Sequence, residues 1–102
     1  MYNHTVLLCL DKDIDAMFLA KIRQFEMAVR SSCAGVIGYQ FSANEAMTKS
    51  GFNHVLFSSF ESRDAFVQYD RSALHIEIKD FLRPYVKDLL VADGDLSPIA
   101  ST

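Results

Sequence analysis

The sequence lacks the cysteines that a disulfide framework or a cysteine-rich metal site requires. Its two cysteines, Cys9 and Cys33, do not have the C-x-x-C spacing that is typical of zinc sites. We therefore interpret both as small buried hydrophobic residues. Residues 1–4 contain no lysine or arginine ahead of the first apolar run, so they predict a strand rather than a signal peptide, and hence a cytoplasmic location.

Long hydrophobic runs and clusters of basic residues are also missing. No apolar stretch approaches the roughly 20 residues that a membrane-spanning helix needs. The ten lysines and arginines are scattered, and the net charge is −3 at pH 7. A surface that follows nucleic-acid phosphates needs a concentrated positive patch. The sequence thus predicts neither a membrane span nor a nucleic-acid partner.

The composition is that of one small folded domain. Half of the 102 residues are hydrophobic and 23% are charged, which is too apolar for a disordered chain. A chain of this length supports a single modest core. We expect the domain to cover residues 1–95, followed by a flexible C-terminal tail at residues 96–102.

Apolar periodicity predicts four strands and two helical regions. The strands are expected over residues 2–10, 36–42, 52–60 and 85–92. Asp13 is the predicted N-cap of the first helix, which Gly35 ends in a left-handed conformation. The apolar face of that helix is expected to comprise Ile14, Met17, Phe18, Ile22, Phe25 and Val29. A second helical region, capped by Ser62, covers residues 63–83 and is predicted to break near residues 71–72.

The order βαββαβ predicts an α+β, ferredoxin-like fold, in which a four-stranded antiparallel sheet carries its helices on one face. The first and third strands are apolar at successive positions, so both faces of the sheet need cover. With too little chain left for another layer, a second copy is the economical cover, and we predict a homodimer. The residues expected to contribute to its interface are Val6, Leu8, Leu56 and Phe57.

Three histidines and one tyrosine are the candidate functional residues. His4 and His54 lie near the starts of two strands that we expect to be adjacent and parallel, so that the side chains lie side by side. His75 follows Tyr69 by six residues across the predicted helix break. A neutral histidine accepts a proton while a tyrosine donates a hydrogen bond to a carbonyl oxygen, so the group favours acid–base chemistry. A structural role for these histidines remains the alternative, and their spacing does not favour a metal site.

From His4 to Asp93 the chain resembles the stress-responsive A/B barrel (Dabb) domain family of the dimeric α/β barrel superfamily. The resemblance rests on His4, on the segment 51–62 (GFNHVLFSSFES), and on the pair Tyr69 and His75. It implies a homodimer whose two sheets form a barrel. Similarity to the polyketide cyclases of the family implies that Tyr69 and His75 are catalytic. It also implies that His4, His54 and Phe25 bind substrate. Phe25 is included because it lies nearest in the sequence to a position on the first helix that lines the pocket in those cyclases.

Three functions follow from this resemblance. The preferred one is a homodimer with an apolar cavity that binds a small hydrophobic ligand. The alternative is an acid–base enzyme such as a polyketide cyclase, which uses Tyr69 and His75 and requires no cofactor or metal. Monooxygenase chemistry, as in other members of the superfamily, is the third.

Overall fold

The computed structural model describes residues 1–47 and 50–96. Their elements are β1 (Tyr2–Leu10), α1 (Ala16–Ser32), β2 (Val36–Ala43), β3 (His54–Phe60), α2 (Arg63–Asp70), α3 (Ala73–Leu82) and β4 (Val86–Asp95). The strands form one antiparallel sheet in the order β2-β3-β1-β4. The predicted ferredoxin-like fold is confirmed. No helix among these residues is long and apolar enough to cross a membrane.

Helix α1 begins two residues later than predicted, because Asp15 and not Asp13 is its N-cap. The Asp15 carboxylate accepts a hydrogen bond of 2.8 Å from the backbone N–H of Phe18. Met17 is 81% exposed, so its expected place on the buried face is wrong. Gly35 has a φ of 78°, which confirms the left-handed turn after the helix.

The break in the second helical region is confirmed and has a local cause. Helix α2 begins after Ser62, whose hydroxyl accepts from Ala65 N–H at 3.1 Å. The hydroxyl of Ser72 accepts from His75 N–H at 3.1 Å, so Ser72 is the N-cap of a separate helix α3. Because α3 restarts there, His75 lies in its first turn, close behind the last turn of α2.

Two strand ends differ from the prediction. Strand β3 begins at His54 because the side chain of Asn53, and not its backbone, pairs with Leu10. The Asn53 amide accepts a hydrogen bond from Leu10 N–H and donates one to Leu10 C=O, each 3.0 Å long. Strand β4 continues to Asp95, three residues beyond its predicted end. Asp93, which lies beyond the predicted end, is therefore a strand residue. Of the expected tail, only Leu96 lies within the described residues.

The two faces of the sheet have different surroundings. On β1, His4, Val6 and Leu8 face the helices, and Leu8 is 2% exposed. The alternate residues Thr5 and Leu7 lie on the face without helices, which we call the outer face. The strand registers place Val55, Phe57, Leu90 and Ala92 on the outer face with them. Of the residues expected at a dimer interface, only Phe57 lies there, whereas Val6, Leu8 and Leu56 face the helices.

Side chains of α1 cover the free edge of β2. The buried carboxylate of Glu26 accepts a hydrogen bond of 2.7 Å from Phe41 N–H, and Arg23 bonds both Glu26 and the carbonyl of Phe41. Arg30 donates to the carbonyl of Tyr39 at 3.0 Å. These bonds satisfy backbone groups that would otherwise offer an edge for pairing with another strand.

Candidate functional site

A cavity of about 590 Å³ lies between the sheet and helices α2 and α3. Its floor is apolar and comes from β1, β3 and α3, and β4 forms one half-exposed wall with Leu89 and Val91. The polar and charged side chains of its lining are His4, Tyr69, Asp70, His75, Lys79, Arg83 and Asp93. A volume of this size holds a small organic molecule. Of the five predicted site residues, the cavity brings together His4, Tyr69 and His75.

The imidazole of His75 is held in one tautomer. Its Nδ1 lies 2.8 Å from the backbone carbonyl of Asp70, which only accepts hydrogen bonds, so Nδ1 carries the proton in the neutral ring. Nε2 is then left with a free lone pair. Burial is the main cause of a lowered pKa for His75, and the nearby Asp70 opposes it. The neutral ring is thus the form near pH 7, ready to accept a proton at Nε2.

Tyr69 is 3% exposed, and its hydroxyl is part of a tyrosine pair. The oxygen lies 2.7 Å from the hydroxyl oxygen of Tyr39, which is equally buried on β2. Burial raises the pKa of Tyr39 to about 12, and burial together with Tyr39 raises the pKa of Tyr69 still further. Both hydroxyls therefore keep their protons. The ring centroid of Tyr69 lies 4.9 Å from that of His75, so the two rings pack against each other.

His4 is paired with a carboxylate that the sequence analysis did not assign to the site. Its Nδ1 lies 2.5 Å from Oδ1 of Asp93, directly across the β1–β4 ladder. The ring also packs against Phe66, with centroids 4.6 Å apart. The carboxylate fixes the orientation of the imidazole, and in the neutral ring Nδ1 donates to it while Nε2 is the acceptor.

His54 and Phe25 do not line this cavity. Strands β1 and β3 are adjacent but antiparallel, so the expectation that His4 and His54 lie side by side is wrong. His54 pairs with Leu8, four residues from His4 on the same sheet face, and it stacks on Phe41 with centroids 5.3 Å apart. Phe25 is 4% exposed and packs against Phe81 in the core.

Asp93 and Tyr39 are among the site residues that the sequence analysis did not identify. Asp93 lies one residue beyond the predicted end of the fourth strand, although pairing the first and last strands in antiparallel register would have placed it opposite His4. Tyr39 has no comparable signal in the sequence, because its contact with Tyr69 joins a strand to a helix that is 30 residues away.

Within residues 1–47 and 50–96, no three histidine, cysteine or acidic side chains are grouped to hold a metal ion. Cys9 and Cys33 are free thiols, each only partly buried.

Several solved structures share this fold. A hydroxynitrile lyase from Passiflora edulis has a TM-score of 0.79 and 13% identity, covering 98% of this chain and 96% of its own. A dimeric ferredoxin-like protein of unknown function from Jannaschia also scores 0.79, at 13% identity, with coverage of 93% and 98%. A candidate antibiotic biosynthesis monooxygenase from Nitrosomonas europaea scores 0.73 at 15% identity, with coverage of 95% and 100%. At such identities the likeness concerns the fold alone.

The assignment of the chain to a family rests on a match to a sequence profile and not on these structures. No curated protein sequence matches the chain. The profile of the stress responsive A/B barrel domain, however, matches residues 3–95. That range contains the sheet apart from Tyr2, all three helices and every polar side chain of the cavity. The chain therefore belongs to the stress responsive A/B barrel (Dabb) domain family.

Proposed function

We propose that this protein is a homodimer that binds a small apolar molecule in the cavity of each protomer. The observation that carries the proposal is the cavity itself, about 590 Å³ of space on a mainly apolar floor within a single protomer. Apolar pockets with a few converging polar groups are the usual form of small-molecule sites. His4, Tyr69 and His75 supply the polar groups here and orient a bound carbonyl or hydroxyl group.

The outer face of the sheet supports the homodimer. Phe57 is 44% exposed and Leu90 is 53% exposed, and Leu7 and Val55 lie beside them. Soluble monomers rarely expose a contiguous apolar surface of this kind. A second copy placed face to face covers the surface on both protomers, and the Jannaschia neighbour is described as dimeric.

Binding is tested by titrating decan-2-one, a neutral apolar ketone, into the protein and measuring the heat released. Leu89→Glu places a carboxylate in the cavity wall at a position that is already 50% exposed. The ketone should bind the variant about tenfold or more weakly, because the bound chain loses apolar contact and desolvates a charge. Ile76→Glu is the matched control, since Ile76 is 55% exposed on α3 outside the cavity. Equal loss of binding in both variants, or no binding to the wild type, would refute the proposal.

A second candidate function is acid–base catalysis on a bound carbonyl compound. The specific observation that favours it is the geometry of His75, whose Nδ1–H is held by the Asp70 carbonyl while Nε2 is free. Nε2 removes a proton from the carbon next to the carbonyl group. The hydroxyl of Tyr69 donates a hydrogen bond to the oxygen of the developing enolate, and Tyr39 donates a hydrogen bond in turn to Tyr69. Every step uses side chains of this chain, so we expect the reaction to survive chelating agents.

Two of the structural neighbours are described as enzymes, which adds little to the choice between ligand binding and catalysis. They belong to proteins that are 13% and 15% identical to this chain. The hydroxynitrile lyase and the candidate monooxygenase indicate that enzymes use this fold. No residue of the cavity argues for oxygenation, so we do not extend the proposal to monooxygenase chemistry.

A further inference from the structure

The charged groups of the cavity are divided between its two ends. Both carboxylates accompany histidines, with Asp93 bonded to His4 and Asp70 Oδ1 3.5 Å from Nδ1 of His75. Both cations lie beyond His75, Lys79 on α3 and Arg83 at its C-cap. His75, Lys79 and Arg83 follow one another at four-residue spacing and share one face of the helix. A ligand lying along α3 thus contacts the histidines and carboxylates at one end and the two cations at the other.

Lys79 is the cation that is available to a ligand. Arg83 is engaged with Asp80, whose Oδ1 lies 3.0 Å from its guanidinium. Lys79 forms no ion pair with any side chain in residues 1–47 and 50–96. Its charge reaches the site, since Lys79 adds to the lowering of the His75 pKa that burial chiefly causes. The rim of the cavity therefore carries one uncompensated positive charge about one helical turn from the base.

The apolar lining continues past Lys79. Ile78 and Leu82 are 3% and 8% exposed on the floor, and Leu89 faces them from β4. An alkyl chain on this floor leaves its polar end near the rim, where the ammonium group is. One free cation matches a single negative charge, whereas Asp70 and Asp93 on the same cavity would repel a polyanion.

We infer that the cavity selects an apolar molecule that carries one carboxylate, and that Lys79 binds that carboxylate at the rim. The inference rests on the proposed function, because it names the class of ligand for the same cavity. Lys79 is then a specificity-determining residue and takes no part in proton transfer. Uncharged ligands of equal length use the apolar floor without it.

The test compares decanoate with decan-2-one, which match in chain length and differ in charge. Both probes are titrated into the wild type, Lys79→Gln and Arg63→Gln. Arg63 is an exposed residue of α2 outside the cavity, and its replacement changes the net charge equally. Lys79→Gln should weaken decanoate binding about 3- to 10-fold, as expected for a partly exposed ion pair, and leave the ketone unchanged. The effect should shrink in 0.5 M salt, because salt screens exposed charges.

The possible results distinguish a failure of the carboxylate selectivity from a failure of ligand binding itself. If Lys79→Gln weakens both probes equally, or neither, the carboxylate selectivity is refuted while ligand binding stands. If Arg63→Gln has the same effect as Lys79→Gln, overall charge and not the rim is responsible, and the inference fails. If neither probe binds the wild type, the inference and the proposed function fail together.

Discussion

Replacing His75 by alanine should lower the turnover of an enolisable ketone about 10²- to 10⁴-fold, because the reaction loses its general base. The binding of decan-2-one should change little, since the floor of the cavity is intact. The rate is measured in steady state with β-diketones as substrates. Tyr69→Phe should also bind ligand and turn it over more slowly, because it removes the hydrogen bond to the enolate oxygen.

His54→Ala is the matched control for the loss of a histidine. His54 lies outside the cavity and stacks on Phe41, so its removal should leave the rate per folded protein nearly unchanged. The pH profile gives a second check. Burial lowers the pKa of His75 below its usual 6.5, so kcat/KM should fall as the pH is lowered, with a midpoint below that of an ordinary histidine. Equal rates in the wild type and in His75→Ala would eliminate the catalytic function.

Phe57→Asp should convert the protein from a dimer to a monomer. Phe57 lies on the outer face, where we expect two sheets to bury about 1,200 Å² or more in total. The variant places one carboxylate from each protomer into that apolar contact without a partner. The dissociation constant should rise about 100-fold or more. Sedimentation should give twice the 11.5 kDa chain mass for the wild type, and that mass itself for the variant.

A control for added charge is available on the opposite side of the molecule. Met27 is 66% exposed on α1, so Met27→Asp changes the net charge equally without touching the outer face. This variant should sediment as a dimer. A wild type that is monomeric at micromolar concentration would contradict the homodimer. Dimerisation that survives Phe57→Asp would place the interface elsewhere.

The sequence was sufficient to predict features that depend on residues close together in the chain. Ser62 indicated the start of α2, and the break near residues 71–72 was predicted, although the N-cap role of Ser72 comes from the structure. The first strand is apolar at successive positions, which indicated that both sheet faces need cover. The resemblance to the family placed Tyr69, His75 and His4 in one cavity, and the structure brings these three together.

Features that depend on register and tertiary contact were beyond the sequence. Treating the first and third strands as parallel put His54 beside His4, whereas the antiparallel ladder separates them by about 13 Å along the strand. The pairing of Asp93 with His4 needed the extent and register of β4. Glu26 was assigned no role, although its carboxylate is 3% exposed and bonds the edge of β2. Nothing in its local sequence distinguishes it from a solvent-exposed helix residue.

The central claim is that ligand binds between the sheet and α3, and the three histidines of the chain provide a direct measurement. His4 and His75 line the cavity, while His54 lies outside it as an internal control. With histidine rings labelled for NMR, the ring signals are followed while decan-2-one is added. We predict that the signals of His4 and His75 shift and saturate together while His54 stays unchanged. Signals of His4 and His75 that do not move, or a shift confined to His54, would contradict the account.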